Sequence, residues 1–334
     1  MLTDILRKRE PLLGVTMLLI SLLVGFKSSD FLTFTSLKST FNDTSILIIL
    51  ALGQMLVITT RCIDLSVASN IAFTGMIVAL INSQHPNIPI PVLMLIAAAS
   101  GAVLGTANGV FVWLLRIPAI VVTLSTMSIY RGATFLLTNG AWVNSEKMSQ
   151  PFLNFPSRLL LGIPILSWLA IATAAAVSLS LRYSQWGRQF FTAGGNPMAA
   201  FYSGIDVGKV QFYAFVVSGS LAGLCGYLWV SRFAVAYVNV ASGFELNVIA
   251  ACVIGGISIK GGIGSAFGCV LGSLFMGLIN NALPVIGISP FWQMAISGSV
   301  IIFAMIANSR SERALGRKIL KPNKPTFGTK SEEI

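Results

Sequence analysis

Long apolar segments, each close to the length of a membrane-crossing helix, recur along the chain between residues 11 and 308. A helix needs about 20 apolar residues to cross the hydrocarbon core of a bilayer. These runs are too long and too continuous for the strands of a membrane barrel, which alternate over roughly 10 residues. The pattern therefore predicts an all-α, polytopic transmembrane protein of about ten spans. The predicted spans are 11–26, 44–60, 65–83, 90–115, 117–137, 159–181, 209–230, 245–258, 262–283 and 290–308.

The composition agrees with a chain that is largely surrounded by lipid. Hydrophobic residues make up 55% of the 334 positions and charged residues only 10%, whereas a soluble domain usually carries about 25% charged residues. The cysteines contain no close pair of the Cys-x-x-Cys kind, so we interpret them as packing residues rather than metal ligands or disulfide partners. They are Cys62, Cys225, Cys252 and Cys269.

The distribution of charge indicates an orientation. The net charge is +11, but the basic residues lie at the N-terminus, in loops and in the tail. Because no soluble face is basic, we expect the lipid bilayer and not nucleic acid as a partner. Ten spans put both termini on one side, and a cytoplasmic location for them puts most of the 22 lysines and arginines inside. The predicted layout is a cytoplasmic N-terminus (1–10), a transmembrane domain (11–308) with a cytoplasmic loop at 182–208, and a basic cytoplasmic tail (309–334).

The cytoplasmic loop contains the stretch TAGGNPMAAFYSGID, residues 192–206, which predicts a short capped helix. Asn196 is a good N-cap and Pro197 suits the first helical position. Gly204 suits the left-handed position that ends a helix, and Ile205 supplies the apolar contact beyond it. A helix of this length is not stable alone in water. It must therefore pack against the rest of this chain or against a partner.

Glycines at intervals of four predict faces along which helices approach closely within the membrane. Such a face serves either as a subunit interface or as packing within one chain, and we favour packing within one chain for any single face. The candidate packing positions are Gly101, Gly105 and Gly109 in the fourth predicted span and Gly264, Gly268 and Gly272 in the ninth.

Four long motifs resemble those of one transporter family. The segment GRQFFTAGGNPMAAFYSGIDVGKVQFYAFVVSGSLAGLCGYL (187–228) is similar to the inner-membrane permeases of bacterial ATP-binding-cassette importers for monosaccharides, in the branch that includes ribose, rhamnose and autoinducer-2 permeases. The motifs TRCIDLSVASN (60–70), GTANGVFVWLLRIPAIVVTLSTMSIYRG (105–132) and GFELNVIAACVIGGISIKGGIGSAFGCVLGS (243–273) agree with it. Ala68 replaces the usual glycine after DLSV. Within the branch, residues 43–72 and the motif FWQMAISGSVII (291–302) look most like rhamnose-type permeases.

The resemblance implies the partners and role of this chain. In such importers a short cytoplasmic helix of the permease sits in a groove of a separate ATPase subunit, a second permease copy or paralogue completes the pair, and a periplasmic sugar-binding protein docks outside. By motif match, the residues that couple to the ATPase are Asn196, Pro197, Ala199, Ala200, Gly204 and Ile205. The sequence contains no GxxxxGK[ST] motif, so we expect ATP to be used by the partner and no cofactor, metal or catalytic residue in this chain.

The implied function is transport of a monosaccharide, rhamnose or a similar sugar, across the bacterial inner membrane, with autoinducer-2, ribose or another pentose as the alternative. A polyol needs hydrogen-bonding groups along its path, but serine and threonine side chains also bond their own helix or a neighbour. Both interpretations stay open for the candidate path residues. They are Asn108, Thr123, Ser125 and Thr126.

Two charged residues near predicted span ends have structural interpretations as well. Asp64 directly precedes the third predicted span and follows Arg61 by three residues. An acid at membrane depth is a functional candidate, but we favour N-capping of this span together with an Arg61 pair. Arg131, at the end of the fifth span, either extends to the outer interface or lines the exit of the path.

Two other classes of function, a serine hydrolase and an ion-coupled transporter, fit the sequence less well. A serine hydrolase would pair Ser258 with His85, but the predicted topology puts these residues on opposite sides of the membrane. An ion-coupled secondary transporter would use acids or broken helices near the midplane. Its best support is Glu245 before the short eighth span, which is short enough to be re-entrant. Such a transporter has no use for a coupling helix, so we favour the importer.

Overall fold

The computed structural model describes residues 9–289 and the single positions 292, 295, 298, 299 and 302. This part of the chain is mainly helical. Its α-helices are α1 (Arg9–Lys27), α2 (Phe34–Thr59), α3 (Val67–Gln84), α4 (Ile90–Trp113), α5 (Ala119–Thr138), α6 (Gln150–Asn154), α7 (Ile165–Tyr183), α8 (Gln185–Gly195), α9 (Pro197–Tyr202), α10 (Val207–Phe233), α11 (Phe244–Ile254) and α12 (Ala266–Val285). Short 3-10 turns lie at Ser29–Leu32, Ser145–Lys147 and Phe155–Ser157.

Eight of these helices are long and apolar enough to cross a membrane: α1, α2, α3, α4, α5, α7, α10 and α12. The all-α, polytopic prediction is therefore confirmed. The helix α11 has 11 residues and ends at Ile254, which is too short to span about 30 Å of hydrocarbon at 1.5 Å per residue. The predicted span 245–258 is thus only partly helical. The tenth predicted span, 290–308, falls almost entirely outside the described residues.

Two predicted helix starts were wrong for identifiable reasons. The helix α2 begins at Phe34 rather than at 44, because the side chain of Thr33 accepts a hydrogen bond from Ser36 N and starts the helix in a polar segment. The helix α7 begins at Ile165 rather than at 159. Two-residue strands occupy the intervening positions, β2 (Leu159–Leu160) and β3 (Ile163–Pro164), and they pair antiparallel.

The β2–β3 hairpin turns through Leu161 and Gly162, which have φ angles of 52° and 78°. Positive φ at both central residues is typical of a tight hairpin turn. A second small sheet pairs β1 (Val143–Asn144) with β4 (Val235–Ala236), also antiparallel. It links the loop after α5 to the end of α10. These short strands carry no periodic signal that a sequence pattern could reveal.

The helices α2 and α10 form the centre of the bundle. The side chains of α2 are almost all buried from Asn42 to Thr59, and α10 packs along α3, α4 and α2. Glycines allow the closest of these approaches. A Cβ atom at Gly101 would overlap the carbonyl oxygen of Gly219, and one at Gly105 would overlap that of Phe215. Gly109 lies against Phe212 in the same contact.

The second glycine group packs α12 against α11. A Cβ atom at Gly268 would overlap the carbonyl oxygen of Gly255, and one at Gly272 would overlap that of Ala251. Gly264 lies before the first residue of α12, so it does not belong to the helical face that the spacing suggested. Its position is instead close to the side chain of Ile257. Both glycine faces are therefore occupied by contacts within one chain.

Contacts between helix ends define one side of the bundle. Ser265, the N-cap of α12, donates a 3.0 Å hydrogen bond from its hydroxyl to the carboxylate of Glu10 in the first turn of α1. Gly262, three residues earlier, donates a 2.9 Å backbone hydrogen bond to the carbonyl of Thr59 at the end of α2. The starts of α1 and α12 and the end of α2 thus lie on the same side.

Candidate functional site

Two short helices, α8 and α9, lie on that side and contain the predicted capped stretch. The Asn196 side chain accepts a 3.1 Å hydrogen bond from Ala199 N, as expected of an N-cap. Pro197 is the first residue of α9. Gly204 has a φ of +78°, and Ile205 N donates a 3.0 Å hydrogen bond back to the carbonyl of Ala200. The local geometry at 196–205 is therefore that of a capped helix with a left-handed glycine after it.

One face of α9 is apolar and uncovered. Met198, Phe201 and Tyr202 are 64%, 69% and 79% exposed, whereas Ala200 is fully buried. Among the predicted coupling residues, Asn196, Ala199 and Gly204 are also exposed, and Pro197 and Ile205 are half-buried. Three large apolar side chains within one short helix form a contact surface without a covering element in the described chain.

Gly194 and Gly195, at the end of α8, dock this pair of helices onto the bundle. A Cβ atom at Gly194 would overlap the carbonyl oxygen of Thr59. The Arg61 guanidinium donates from Nε to the carbonyl of Gly194 at 2.6 Å and from Nη2 to that of Gly195 at 2.9 Å. Arg61 itself has a positive φ of 67°. No sequence pattern predicted this contact, because its residues are 133 positions apart.

The predicted Arg61–Asp64 ion pair is wrong, because the Arg61 guanidinium is directed to these carbonyl groups. Asp64 is buried between α2 and α3. Its Oδ1 accepts hydrogen bonds from Ser66 N at 2.8 Å and from Ser66 Oγ at 2.6 Å. Burial raises the pKa of the Asp64 carboxyl, while the Ser66 hydrogen bonds act in the opposite direction. Ser66, rather than Asp64, is the residue directly before α3.

Three of the four candidate path residues are buried and bonded within the chain. The Asn108 amide donates a 2.8 Å hydrogen bond to Ser66 Oγ. Thr123 Oγ1 donates to the carbonyl of Ile63 at 3.1 Å, and Thr126 Oγ1 donates to that of Thr123 at 3.3 Å. These contacts favour the structural interpretation for the three residues. Ser125 differs, because it is exposed and bonds the carbonyl of Val121 in its own helix at 2.8 Å.

A cleft of about 950 Å³ opens beside α9. Its walls come from three loops, which join α2 to α3, α4 to α5, and α9 to α10. Trp113 and Arg116 line it from one loop, and Phe201, Asp206 and Gln211 line it from the region around α9. The cleft therefore separates the uncovered face of α9 from the ends of α4 and α5.

Arg131 is held inside the chain on the opposite side of the bundle. Its guanidinium donates to the carbonyls of Val238 and Val240, in the segment between β4 and α11. These bonds fix the loop before α11. Extension to the outer interface and lining of the path exit both stay predictions.

The positions of Ser258 and His85 oppose a serine hydrolase. His85 follows the last residue of α3, whereas Ser258 lies in the loop whose Gly262 bonds Thr59. The 18 residues of α3 separate these two sides, which is roughly 27 Å at 1.5 Å per residue. A nucleophile and its base must be within hydrogen-bond reach. The described residues also contain no cluster of His, Cys, Asp and Glu that could hold a metal ion.

The eight long apolar helices define the class of the protein, a multi-pass helical membrane protein. The family model for the permease component of branched-chain amino acid transport systems matches residues 36–305, and the chain belongs to this permease family. Its members are transport components, not enzymes.

Several autoinducer 2 import system permease proteins, LsrC, are similar to this chain over nearly its full length. That of Escherichia coli (strain K12 / DH10B) is 34% identical over 330 residues, which is 98% of this chain and 95% of the relative. That of Enterobacter sp. (strain 638) is 36% identical over 287 residues, 86% and 82% of the two chains. That of Salmonella typhi is 32% identical over 328 residues, 98% and 93%. No solved structure gives a significant match.

These relatives support a permease of an ATP-binding-cassette sugar importer, and they correct one expectation. The rhamnose-type assignment, which rested on residues 43–72 and 291–302, finds no support in them. The sequence motifs thus identified the family and did not identify the substrate.

Proposed function

We propose that this chain is the permease subunit of an ATP-driven importer for autoinducer 2. The observation that carries the proposal is the 34% identity to an autoinducer 2 permease across 98% of the chain. The family model alone does not indicate a substrate, because its description concerns branched-chain amino acids. Ribose or another pentose is the second candidate, since the sequence motifs are similar to permeases for those sugars.

The exposed face of α9 is the proposed contact with the ATPase subunit. Met198, Phe201 and Tyr202 supply adaptable apolar and aromatic surface of the kind that enters a groove on a partner. The buried Ala200 and the docking of Gly194 on Thr59 connect this surface to the bundle. Permeases of this class work with an ATPase and a periplasmic binding protein in general, and the identity of both partners here is part of the proposal.

The α9 side is proposed to be cytoplasmic, with both termini on that side. Basic residues support this orientation through the positive-inside rule. The α9 side carries Arg61, Arg116, Arg182, Arg188, Lys209 and Lys260 at helix ends and loops. The bias itself comes from the N-terminus and the tail, which add Arg7, Lys8, Arg9, Arg310, Arg313, Arg317, Lys318, Lys321, Lys324 and Lys330.

Two copies, or one copy and a paralogue, are proposed to enclose the translocation path. The glycine faces of α4 and α12 are occupied within one chain, so pairing must use another surface. The outer face of α5, which exposes Val121, Ser125 and Ile129 along the helix, is a candidate. Of the four residues predicted for the path, Ser125 is the one on this exposed face.

Reconstitution tests the substrate. The purified permease and its ATPase subunit are incorporated into liposomes that contain ATP, and the binding protein is added outside. Uptake of labelled autoinducer 2 that exceeds uptake of ribose and rhamnose supports the proposal. Uptake of ribose alone would replace autoinducer 2 with the pentose alternative, and uptake without ATP or the ATPase would favour an ion-coupled transporter.

Cross-linking tests the α9 contact. We would replace the native cysteines and introduce Met198→Cys or Tyr202→Cys, both exposed on α9. A cysteine at Leu161, which is 85% exposed in the β2–β3 hairpin, is the matched control. A cross-link to a cysteine in the ATPase groove should form from α9, change with ATP, and be absent from position 161. Equal cross-linking from all three positions would contradict the proposed contact.

A further inference from the structure

The segment 59–66, between α2 and α3, contacts five other parts of the protein although it has little regular structure of its own. We propose that this segment transmits movement of α8 and α9 to α4 and α5, with Arg61 and Ser66 as its positioning residues. The inference rests on the proposed function, because it assigns a route for the movement that an ATPase would impose on α9. Neither the family description nor the names of the relatives assign any role to these residues.

The first residues of the segment, Thr59 and Arg61, contact the two short helices α8 and α9 through the end of α8. Arg61 donates to the carbonyls of Gly194 and Gly195, the last two residues of α8. Asn196 follows at once and caps α9. The carbonyl of Thr59 lies against Gly194 and accepts a hydrogen bond from Gly262. A displacement of α9 therefore reaches the 59–66 segment through backbone contacts that leave no room for a side chain.

The last residues of the segment, Asp64 and Ser66, connect it to α4 and, through α4, to α5. The Ser66 hydroxyl donates to Asp64 Oδ1 at 2.6 Å and accepts from the Asn108 amide at 2.8 Å. The Tyr130 hydroxyl lies 3.2 Å from Asn108 Oδ1 and 2.8 Å from the carbonyl of Leu104. One serine hydroxyl thus joins the buried acid to the buried amide, and the amide joins α4 to α5.

This chain of hydrogen bonds reaches well into the membrane. Asn108 is five residues before the end of α4, which ends at Trp113, or roughly 8 Å along the helix axis. Tyr130 is eleven residues after Ala119, the first residue of α5, or roughly 17 Å. The hydrocarbon core is about 30 Å thick. The contacts that start at α8 therefore extend to about the middle of the proposed spans.

Two further contacts connect the same segment laterally. Gln211 in α10 donates from its amide to the carbonyl of Thr60 at 3.1 Å, and Thr123 in α5 donates to the carbonyl of Ile63 at 3.1 Å. A segment that cannot form its own ladder must satisfy its buried backbone groups with neighbours. Because those neighbours belong to different helices, the segment moves with these helices and constrains their positions relative to one another.

The positive φ of Arg61 supports a role beyond simple packing. A non-glycine residue at φ 67° is held in a sparsely populated conformation, and such conformations persist where the surroundings enforce them. Here the two hydrogen bonds to α8 act on the side chain of that same residue. Release of α8 would remove this constraint on the backbone at position 61.

Serine-to-alanine variants test the contact of Ser66 with Asp64 and Asn108. Ser66→Ala removes the bridging hydroxyl, and Ser69→Ala is a matched control, because Ser69, three residues further on in α3, is equally buried but bonds only the carbonyl of Ser66, at 2.8 Å. In the reconstituted importer, we expect Ser66→Ala to lower uptake per ATP hydrolysed about fivefold, the factor expected for one buried hydrogen bond. Basal ATPase activity and the concentration of binding protein for half-maximal stimulation should stay near wild type. Ser69→Ala should retain wild-type coupling.

A second pair of variants tests the contact of Arg61, an exposed residue, with the end of α8. Arg61→Gln removes the two bonds to α8, and Arg116→Gln is the control, because Arg116 is also an exposed loop arginine with a positive φ, 53°. Arg61→Gln should lower uptake per ATP, and Arg116→Gln should not. If the Arg61 and Ser66 contacts lie on one route, uptake per ATP in the Arg61→Gln/Ser66→Ala double variant should be no lower than in the more affected single variant. This pair decides the matter if Ser66→Ala does not accumulate in the membrane.

Each outcome has a defined consequence. The route through 59–66 would be overturned if Ser66→Ala and Arg61→Gln keep wild-type coupling, or if each variant loses as much coupling as its control. In either case, transport by the wild-type importer would still support the proposed function. Losses in the double variant that multiply would show two independent contacts and would also overturn the route. A wild-type complex that transports nothing with ATP would overturn the proposed function and this inference together.

Discussion

Gly101 of α4 and Gly219 of α10 lie in direct backbone contact, with the carbonyl oxygen of each next to the side-chain position of the other. The Asn70 amide lies 3.3 Å and 3.4 Å from these two carbonyls. A Cβ atom at either glycine would overlap the carbonyl oxygen of its partner. This contact sets the distance between the two helices.

Gly101→Ala should destabilise the protein, because the new methyl group overlaps backbone that cannot rotate away. We expect a loss of about 1–3 kcal/mol, typical of overpacking. Thermal unfolding of the purified protein measures it. Gly132→Ala in α5 is the control, since nothing lies within 4 Å of its Cβ position, and it should be neutral or slightly stabilising. Equal stability of the two variants would show that α4 and α10 can separate freely.

Gly204→Val should impair coupling to the ATPase without preventing membrane insertion. Gly204 has a φ of +78° and open space around it, so the cost is backbone strain, about 1–2 kcal/mol for a side chain in the left-handed region. The strain displaces α9 relative to α10. Gly204→Asn is the control, because asparagine tolerates this conformation. Wild-type stimulated ATPase activity in Gly204→Val would count against the prediction.

Neutralisation of Lys147 and Arg158 together should weaken docking of the binding protein at low salt. Both are exposed on the side opposite α9, where rim charges mainly affect association rates. Arg232, in the last turn of α10 on the same side, is half-buried and forms an ion pair with Asp43. Arg232→Gln should therefore lower stability rather than docking. Surface-immobilised binding protein measures the association rate, and an unchanged rate in the double variant at low salt would exclude this surface.

Cys62 should resist alkylation in the folded protein. Burial raises the pKa of its thiol to about 12, and the nearby Asp64 carboxyl contributes in the same direction. The reactive thiolate is therefore depleted by about a thousandfold relative to a thiol of pKa 9.0 at any pH below 9. Even at pH 9 only about one Cys62 thiol in a thousand is ionised, so maleimide labelling should stay slow until the protein unfolds. Rapid labelling of the native protein at pH 7, traced to position 62 by mass spectrometry, would contradict this burial.

Sequence patterns predicted the features that depend on neighbours along the chain. The cap at Asn196, the left-handed Gly204 and the long apolar helices follow from local preferences, and the structure contains them. The hydrogen bond from Arg61 to Gly194 joins residues 133 positions apart, and a single sequence carries no signal for such a contact. The same reason explains the incorrect Arg61–Asp64 pair, since closeness in sequence suggested a partner that the fold does not use.

Polar composition misled the prediction where tertiary context outweighs it. The first turns of α2 contain Thr35, Ser36 and Lys38 and looked like a loop, although the Thr33 cap starts a helix there. The polar residues Asn108 and Thr123 hydrogen-bond to the 59–66 segment, and their place along a path stays a prediction. Hydrogen-bonding capacity is visible in a sequence, but its partner is not.

The glycine contacts described for α4, α10, α11 and α12 all join parts of the same chain. Each chain can thus complete these contacts during its own biogenesis, before the proposed pairing with a second copy. Assembly of the importer then becomes a late step between finished molecules. A paralogue could replace one copy without rebuilding the interior of the other, which leaves the composition of the pair free to change in evolution.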